Sequence, residues 1–168
     1  KNIFLCCGSP YTLYLLNRSK LIKGGINHHL NFHPMIKIVA KFPDNLDKEH
    51  ISNFQISEFV PKFIFGHAAS EEQFLRISTF KNKKIYDDVI LNKNKMAIFH
   101  STFSLGKVKL LAIPFLKEPL LSHNINNDEF KIIKNGIDKL IQFIFAAGAD
   151  YVYPIFKNIE KVSNYDSN

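Results

Sequence analysis

At 168 residues, 46% of them apolar, the chain has the size and composition of one ordinary globular domain, which sets intrinsic disorder aside. Its formal net charge of +7 is scattered and is densest at Lys81, Lys83, Lys84, Lys93 and Lys95, an Asn-rich stretch that reads as a solvated face. The aromatic residues sit in apolar, strand-like runs rather than among the basic ones, which disfavours nucleic-acid binding, and no apolar run approaches the roughly 20 residues that span a bilayer.

Lys1 leads at once into an apolar run, so the chain reads as entering a buried strand midway, and no stretch has the pattern of a signal peptide. Residues 2–7 are expected to form that strand, Gly8-Ser9-Pro10 to turn it, and residues 11–19 to form a helix. A strand-turn-helix unit presents main-chain amides at the helix N-terminus, where an anionic group is held. Cys6 and Cys7 are neighbours, a spacing that strains a disulfide, and both are expected to be reduced, small and buried.

After the Gly24-Gly25 loop, His28, His29 and His33 fall in a loop before the next strand. They lack the i, i+4 helical spacing and the carboxylate partners of a zinc site, so no metal is expected. Residues 35–42 read as a strand ended by Pro43. The segment 54–60 alternates apolar and polar residues with period two, the mark of a half-buried strand, which Phe63-Ile64-Phe65 continues beyond Pro61.

Ser70-Glu71-Glu72 starts a short helix carrying Phe74, Leu75 and Ile77. Residues 96–103 and 107–113, separated around Leu105-Gly106, read as a β-hairpin, and 120–125 as a further strand. The clearest helix follows Asn126, where Asn126 and Glu129 have the spacing of a capping box. Phe130, Ile133, Ile137, Leu140, Ile141 and Ile144 then recur at helical spacing, and Gly148 stands at the C-terminal cap. The order predicts an α+β fold, an antiparallel sheet covered on one face by helices and preceded by a strand-helix unit.

Several segments resemble the glucose-methanol-choline (GMC) oxidoreductase family. Leu5-Cys6-Cys7-Gly8-Ser9-Pro10-Tyr11-Thr12 and the leucines after it are similar to the family's second signature, with Cys6-Cys7-Gly8 in place of Ala-Ala-Gly and Thr12 in place of its Ser or Thr. Leu13 departs from the family's proline. Asn27 to Pro34 resembles the segment leading into the substrate domain, with Asn27 in a glycine position and His29 in place of asparagine. Gln55 to Pro61, Met96 to His100, Gly106 to Lys109 and Phe145 to Pro154 follow in family order.

The resemblance implies a flavoprotein with FAD as cofactor, oxidising the CH-OH group of a small-molecule alcohol by hydride transfer. It implies that residues 1–34 are the edge of the FAD-binding domain and a connecting loop, 35–156 most of the substrate-binding domain, and 157–168 a connecting segment. Cys6, Cys7, Gly8 and Thr12 would lie against the cofactor, and Gln55, Glu58 and His100 would shape the substrate side. Gln55 and Glu58 stand three apart on one expected strand and so face opposite ways, which favours Gln55 for the substrate and a structural role for Glu58.

The G-x-G-x-x-G fingerprint is absent and the family's catalytic histidine is expected further along the polypeptide. This piece is therefore expected to need the remainder of the same polypeptide for flavin binding and turnover. It carries no targeting signal or membrane segment, and either a cytoplasmic or a periplasmic location is compatible with it. The competing reading is a non-catalytic α+β module that binds an apolar ligand among its phenylalanines.

Overall fold

The computed structural model describes residues 2–22, 29–48, 54–111, 118–156 and 161–163. The Gly24-Gly25 loop, Asn27 and His28 lie outside them, as do the side chain of His29, the end of the 107–113 segment and most of 157–168. The chain forms two units, one of Lys1–His33 with Ser104–Phe130 and one of Pro34–Phe103 with Lys131–Asn168. Both are built on antiparallel sheets with helices, an α+β fold.

In the first unit, helix α1 (Ser9–Arg18) starts at Gly8 and carries a proline in its first turn, where the missing N–H costs nothing. Strands β1 (His29–Phe32), β6 (Leu105–Leu111) and β7 (Leu120–Ser122) form a three-stranded sheet in the order β1-β6-β7. Its centre, β6, buries Leu105, Val108 and Leu110.

Residues 2–7 correct the first expectation. They pair with no strand among the described residues and stand exposed, as do Cys6 and Cys7. A fully apolar strand becomes buried through neighbours on both sides, and these residues have none here.

The second unit holds a five-stranded sheet ordered β3-β4-β5-β2-β8, from β2 (Met35–Lys41), β3 (Gln55–Ile56), β4 (Phe63–Ala68), β5 (Met96–Phe103) and β8 (Tyr151–Pro154). Helices α2 (Glu72–Thr79), α3 (Lys83–Leu91) and α4 (Asn127–Ala146) accompany the sheet, α4 contributing its first turn to the other unit. Strand register sorts the side chains by face, because directly opposed residues point the same way. On one face Phe63, Phe103 and Gly136 of α4 meet so closely that a Cβ on Gly136 would come within 2.5 Å of the Phe103 ring. On the other, Val39, Met96, Ile98 and Tyr153 pack against Leu75 of α2 and Ile85 and Val89 of α3.

Three further expectations are revised. The expected hairpin does not form: β5 pairs with β2 and β4, while β6 pairs with β1 and β7. Ser104 alone separates the two strands, fewer residues than the two-residue loop of a tight hairpin. The strand expected over 54–60 shrinks to Gln55–Ile56, because the chain turns there, with Val60 N–H donating to Ser57 O and Lys62 N–H to Phe59 O. The lysine-rich stretch contains α3, whose N-cap Asn82 accepts from Ile85 N–H at 3.3 Å. β1 and β8 also form where no strand is expected, each completed by a partner distant in sequence.

The capping box at α4 does form. Asn126 Oδ1 accepts from the N–H of Asp128 and Glu129 at 3.0 and 2.9 Å, and Glu129 Oε2 accepts from Asn126 N–H at 3.0 Å. Gly148 follows the helix with φ +91°, a conformation that favours glycine.

Candidate functional site

The motif at the start of α1 is a bend shaped by glycine. Gly8 has φ +78°, open to glycine and strained for other residues, and nothing lies within 4 Å of where a Cβ would stand. Thr12 N–H donates to Gly8 O at 2.9 Å, and Cys7 Sγ lies 3.3 Å from Thr12 Oγ1, so Thr12 ties the bend to the helix through main chain and side chain. A cavity of about 550 Å³ opens beside it, lined by Ser9 and Pro10 of α1, residues Leu30 to His33, and Val108 and Leu121. Cys6, Cys7 and Gly8 thus form an exposed bend that leads into α1, where Thr12 is half-buried, with main-chain donors of the first helical turn at hand.

A second candidate lies on the five-stranded sheet. Helices α2 and α3 cover the half of one face that holds Met96 and Ile98. Further along the same face, register aligns Gln55 of β3, Gly66 of β4, His100 of β5 and Lys37 of β2 in one row across four strands. The His100 ring lies over Gly66, since a Cβ there would meet its Cε1 at 2.6 Å and its Nε2 at 2.8 Å. Glycine at 66 therefore makes the space that the imidazole occupies.

His100 is half-buried, and burial first, then the charge of Lys37, holds its pKa below the usual 6.5. Its Nδ1 is buried without a hydrogen-bond partner among the described residues. His67, on the opposite face of β4, is also held below 6.5, by burial first and then by His100. His67 differs in having a partner, with Nε2 3.0 Å from Ser70 Oγ, which accepts from Ile98 N–H at 2.8 Å and donates to Ala68 O. His67 is thereby knitted into the fold through Nε2, and its Nδ1, like that of His100, is buried without a hydrogen-bond partner among the described residues.

The structure brings Gln55 and His100 onto one face and leaves Glu58 apart. Glu58 stands exposed in the turn after β3, so the expectation that it lies on the same strand as Gln55 is corrected. Gly66 and Lys37 are passed over by the sequence reading. The lysines at 37 and 41 in an otherwise apolar strand do signal a polar side to β2, but only pairing puts Lys37 beside His100.

Among the described residues four phenylalanines are core, whereas Phe4, Phe32, Phe74, Phe80, Phe130 and Phe143 stand exposed. Phe63 stacks on Phe59 and Phe65 with ring centroids 5.0 and 5.3 Å apart, and Phe63, Phe65, Phe99 and Phe103 are all buried. Among the described residues no group of three or more His, Cys, Asp or Glu side chains is arranged to hold a metal ion, and no helix is long and apolar enough to cross a membrane.

No protein-family model matches the chain. It is similar to the Uncharacterized GMC-type oxidoreductase y4nJ of Sinorhizobium fredii (strain NBRC 101917 / NGR234), with 26% identity over 169 residues. The match takes in 98% of this chain and 33% of that protein, so the chain spans about a third of the length of this curated relative. The likeness runs through both units rather than one motif.

Proposed function

We propose that this chain is part of a flavin-dependent oxidoreductase that oxidises the CH-OH group of an alcohol, with the five-stranded sheet roofing the substrate side. The observation that carries the reading is a similarity to a GMC-type oxidoreductase that extends over 98% of the chain. The bend at Gly8 supports it independently, because positive φ, open space and a helix N-terminus together suit main chain lying against a phosphate-bearing cofactor. Cys6, Cys7, Gly8 and Thr12 would hold that part of an FAD, with Thr12 keeping the bend in shape.

Bound FAD supplies the acceptor for the hydride leaving the carbinol carbon. This chain's own residues orient and enclose the substrate. Gln55 offers both an amide donor and an amide acceptor, and neutral His100 offers a ring nitrogen that donates or accepts according to its tautomer. Glu58, in its exposed turn, takes no more than a position at the rim. The acceptor of the hydroxyl proton is assigned to a histidine elsewhere in the complete polypeptide. The exposed apolar residues Ile3 and Phe4 also suit a segment covered by further polypeptide.

The test is to purify the complete polypeptide that contains this chain, record its visible spectrum, and add alcohols without oxygen. A stoichiometric flavin band that bleaches with an alcohol is expected. A protein with no flavin, or a flavin that no alcohol reduces, sinks the reading. Gln55→Ala should raise KM more than it lowers kcat, and unchanged kinetics remove Gln55 from the site.

A further inference from the structure

Resting on that reading, we infer that the substrate is an alcohol bearing an anionic group, received by Lys37 beside His100, at the end of the row away from Gln55. The half of the sheet face that α2 and α3 leave open carries Met35, Lys37, Gln55, Ile64, His100 and Thr102, as strand register sets it. None of these is acidic. Lys37 is half-buried and has no carboxylate partner among the described residues, whereas Lys41, two residues on, is paired with Asp150 at 2.6 Å. Two lysines on one strand face thus differ in that one is neutralised and the other meets no carboxylate among the described residues.

The alternatives fit this surface poorly. A quaternary amino alcohol needs carboxylates or an aromatic cage, and the open half-face has neither. The aromatic residues of these strands, Phe63, Phe65, Phe99 and Phe103, lie on the opposite face, with Phe63 and Phe103 against α4. A sterol-like substrate needs a broad apolar lining, and here Met35 and Ile64 alone supply one. An anion fits, since a partly desolvated ammonium with no carboxylate partner among the described residues gains most from a charge-assisted hydrogen bond, and the neutral imidazole of His100 adds a donor beside it. The shared chemistry is a negative group attached to the alcohol, whether carboxylate or phosphate.

The experiment uses the complete flavin-loaded polypeptide and four alcohols of matched length: a hydroxycarboxylate, a phosphorylated alcohol, a neutral alcohol and a quaternary amino alcohol. One of the two anionic substrates is expected to exceed the neutral one by about tenfold or more in kcat/KM, and the better of the two names the anion. Its advantage should shrink as salt rises. Lys37→Gln should raise KM for the anionic substrate by about tenfold, well beyond its effect on the neutral one, and Lys37→Arg should restore much of the loss. Preference for the neutral or the cationic alcohol, or an anionic KM indifferent to Lys37→Gln in a folded variant, overturns the inference while leaving the oxidoreductase reading intact. A flavin that none of the four reduces overturns both.

Discussion

The two units handle apolar surface in opposite ways. In the five-stranded unit, Ile38, Val39, Ala40 and Ile98 are completely shielded, because helices stand against both faces of its sheet. In the three-stranded unit, α1 buries no residue, β7 is exposed throughout, and Ile3 and Phe4 are 87% and 85% exposed. The physical lesson is that a sheet closes a core only when something covers it. Five strands with helices do so within this chain, whereas three strands and one short helix bury little beyond one side of their central strand.

Truncation should separate the two units most strongly. Ile98→Ala removes a fully buried side chain from the α2-α3 cluster and should cost about 2–5 kcal/mol in urea unfolding, whereas Ile3→Ala should leave the midpoint unchanged. Equal effects at the two positions would mean that Ile3 is as well packed as Ile98.

Added methyl groups give the next effect. Gly136→Ala gains helix propensity but drives a Cβ into the Phe103 ring, and the clash should win by about 1–3 kcal/mol. In the other unit Gly106→Ala should cost a similar amount. Its Cβ would come within 2.5 Å of Glu129 Oε1, which accepts from Gly106 N–H at 2.6 Å. A gain in melting temperature for either variant would show that the neighbouring side chain yields.

Asp88 offers a smaller probe of the five-stranded unit, for its Oδ2 accepts from the hydroxyls of both Tyr151 and Tyr153 at 2.6 and 2.8 Å and so ties α3 to the sheet edge. Asp88→Asn keeps an acceptor but loses the charge, and should cost about 1 kcal/mol in the same urea titration. No change would make the contact incidental.

Acid should distinguish the units last and most gently. The folded state holds His67 and His100 below their usual 6.5, so it resists their protonation. The stability they confer is complete above about pH 6.5 and is lost as pH falls toward their depressed values. Glu129 is a carboxyl held below its usual 4.5 by the main-chain donors of Asn126 and Gly106. Its contribution is complete above pH 4.5 and is lost as pH falls through its folded value. Melting curves from pH 8 to 4 should therefore weaken the five-stranded unit first, and His67→Phe should flatten the step below pH 6.5. A profile flat to pH 5 would contradict the buried neutral histidines.

What was legible in the sequence is local. The capping box of Asn126 and Glu129, the helical spacing through Ile144 and the glycine bend at Gly8 each follow from interactions within a few residues. Such interactions are fully encoded by spacing. The Gln55–Gly66–His100–Lys37 row was half legible, as Gln55 and His100 were expected from the family resemblance while Gly66 and Lys37 were not.

Tertiary structure alone decided the partners of each strand. It sent β5 and β6 into different sheets, cut the strand after Gln55 short, placed Glu58 in a turn and left residues 2–7 without a strand partner among the described residues. The reason is that a strand's hydrogen bonds are made to residues far away in sequence. The face a side chain presents, and thus which groups meet at a site, is settled when those distant strands come into register.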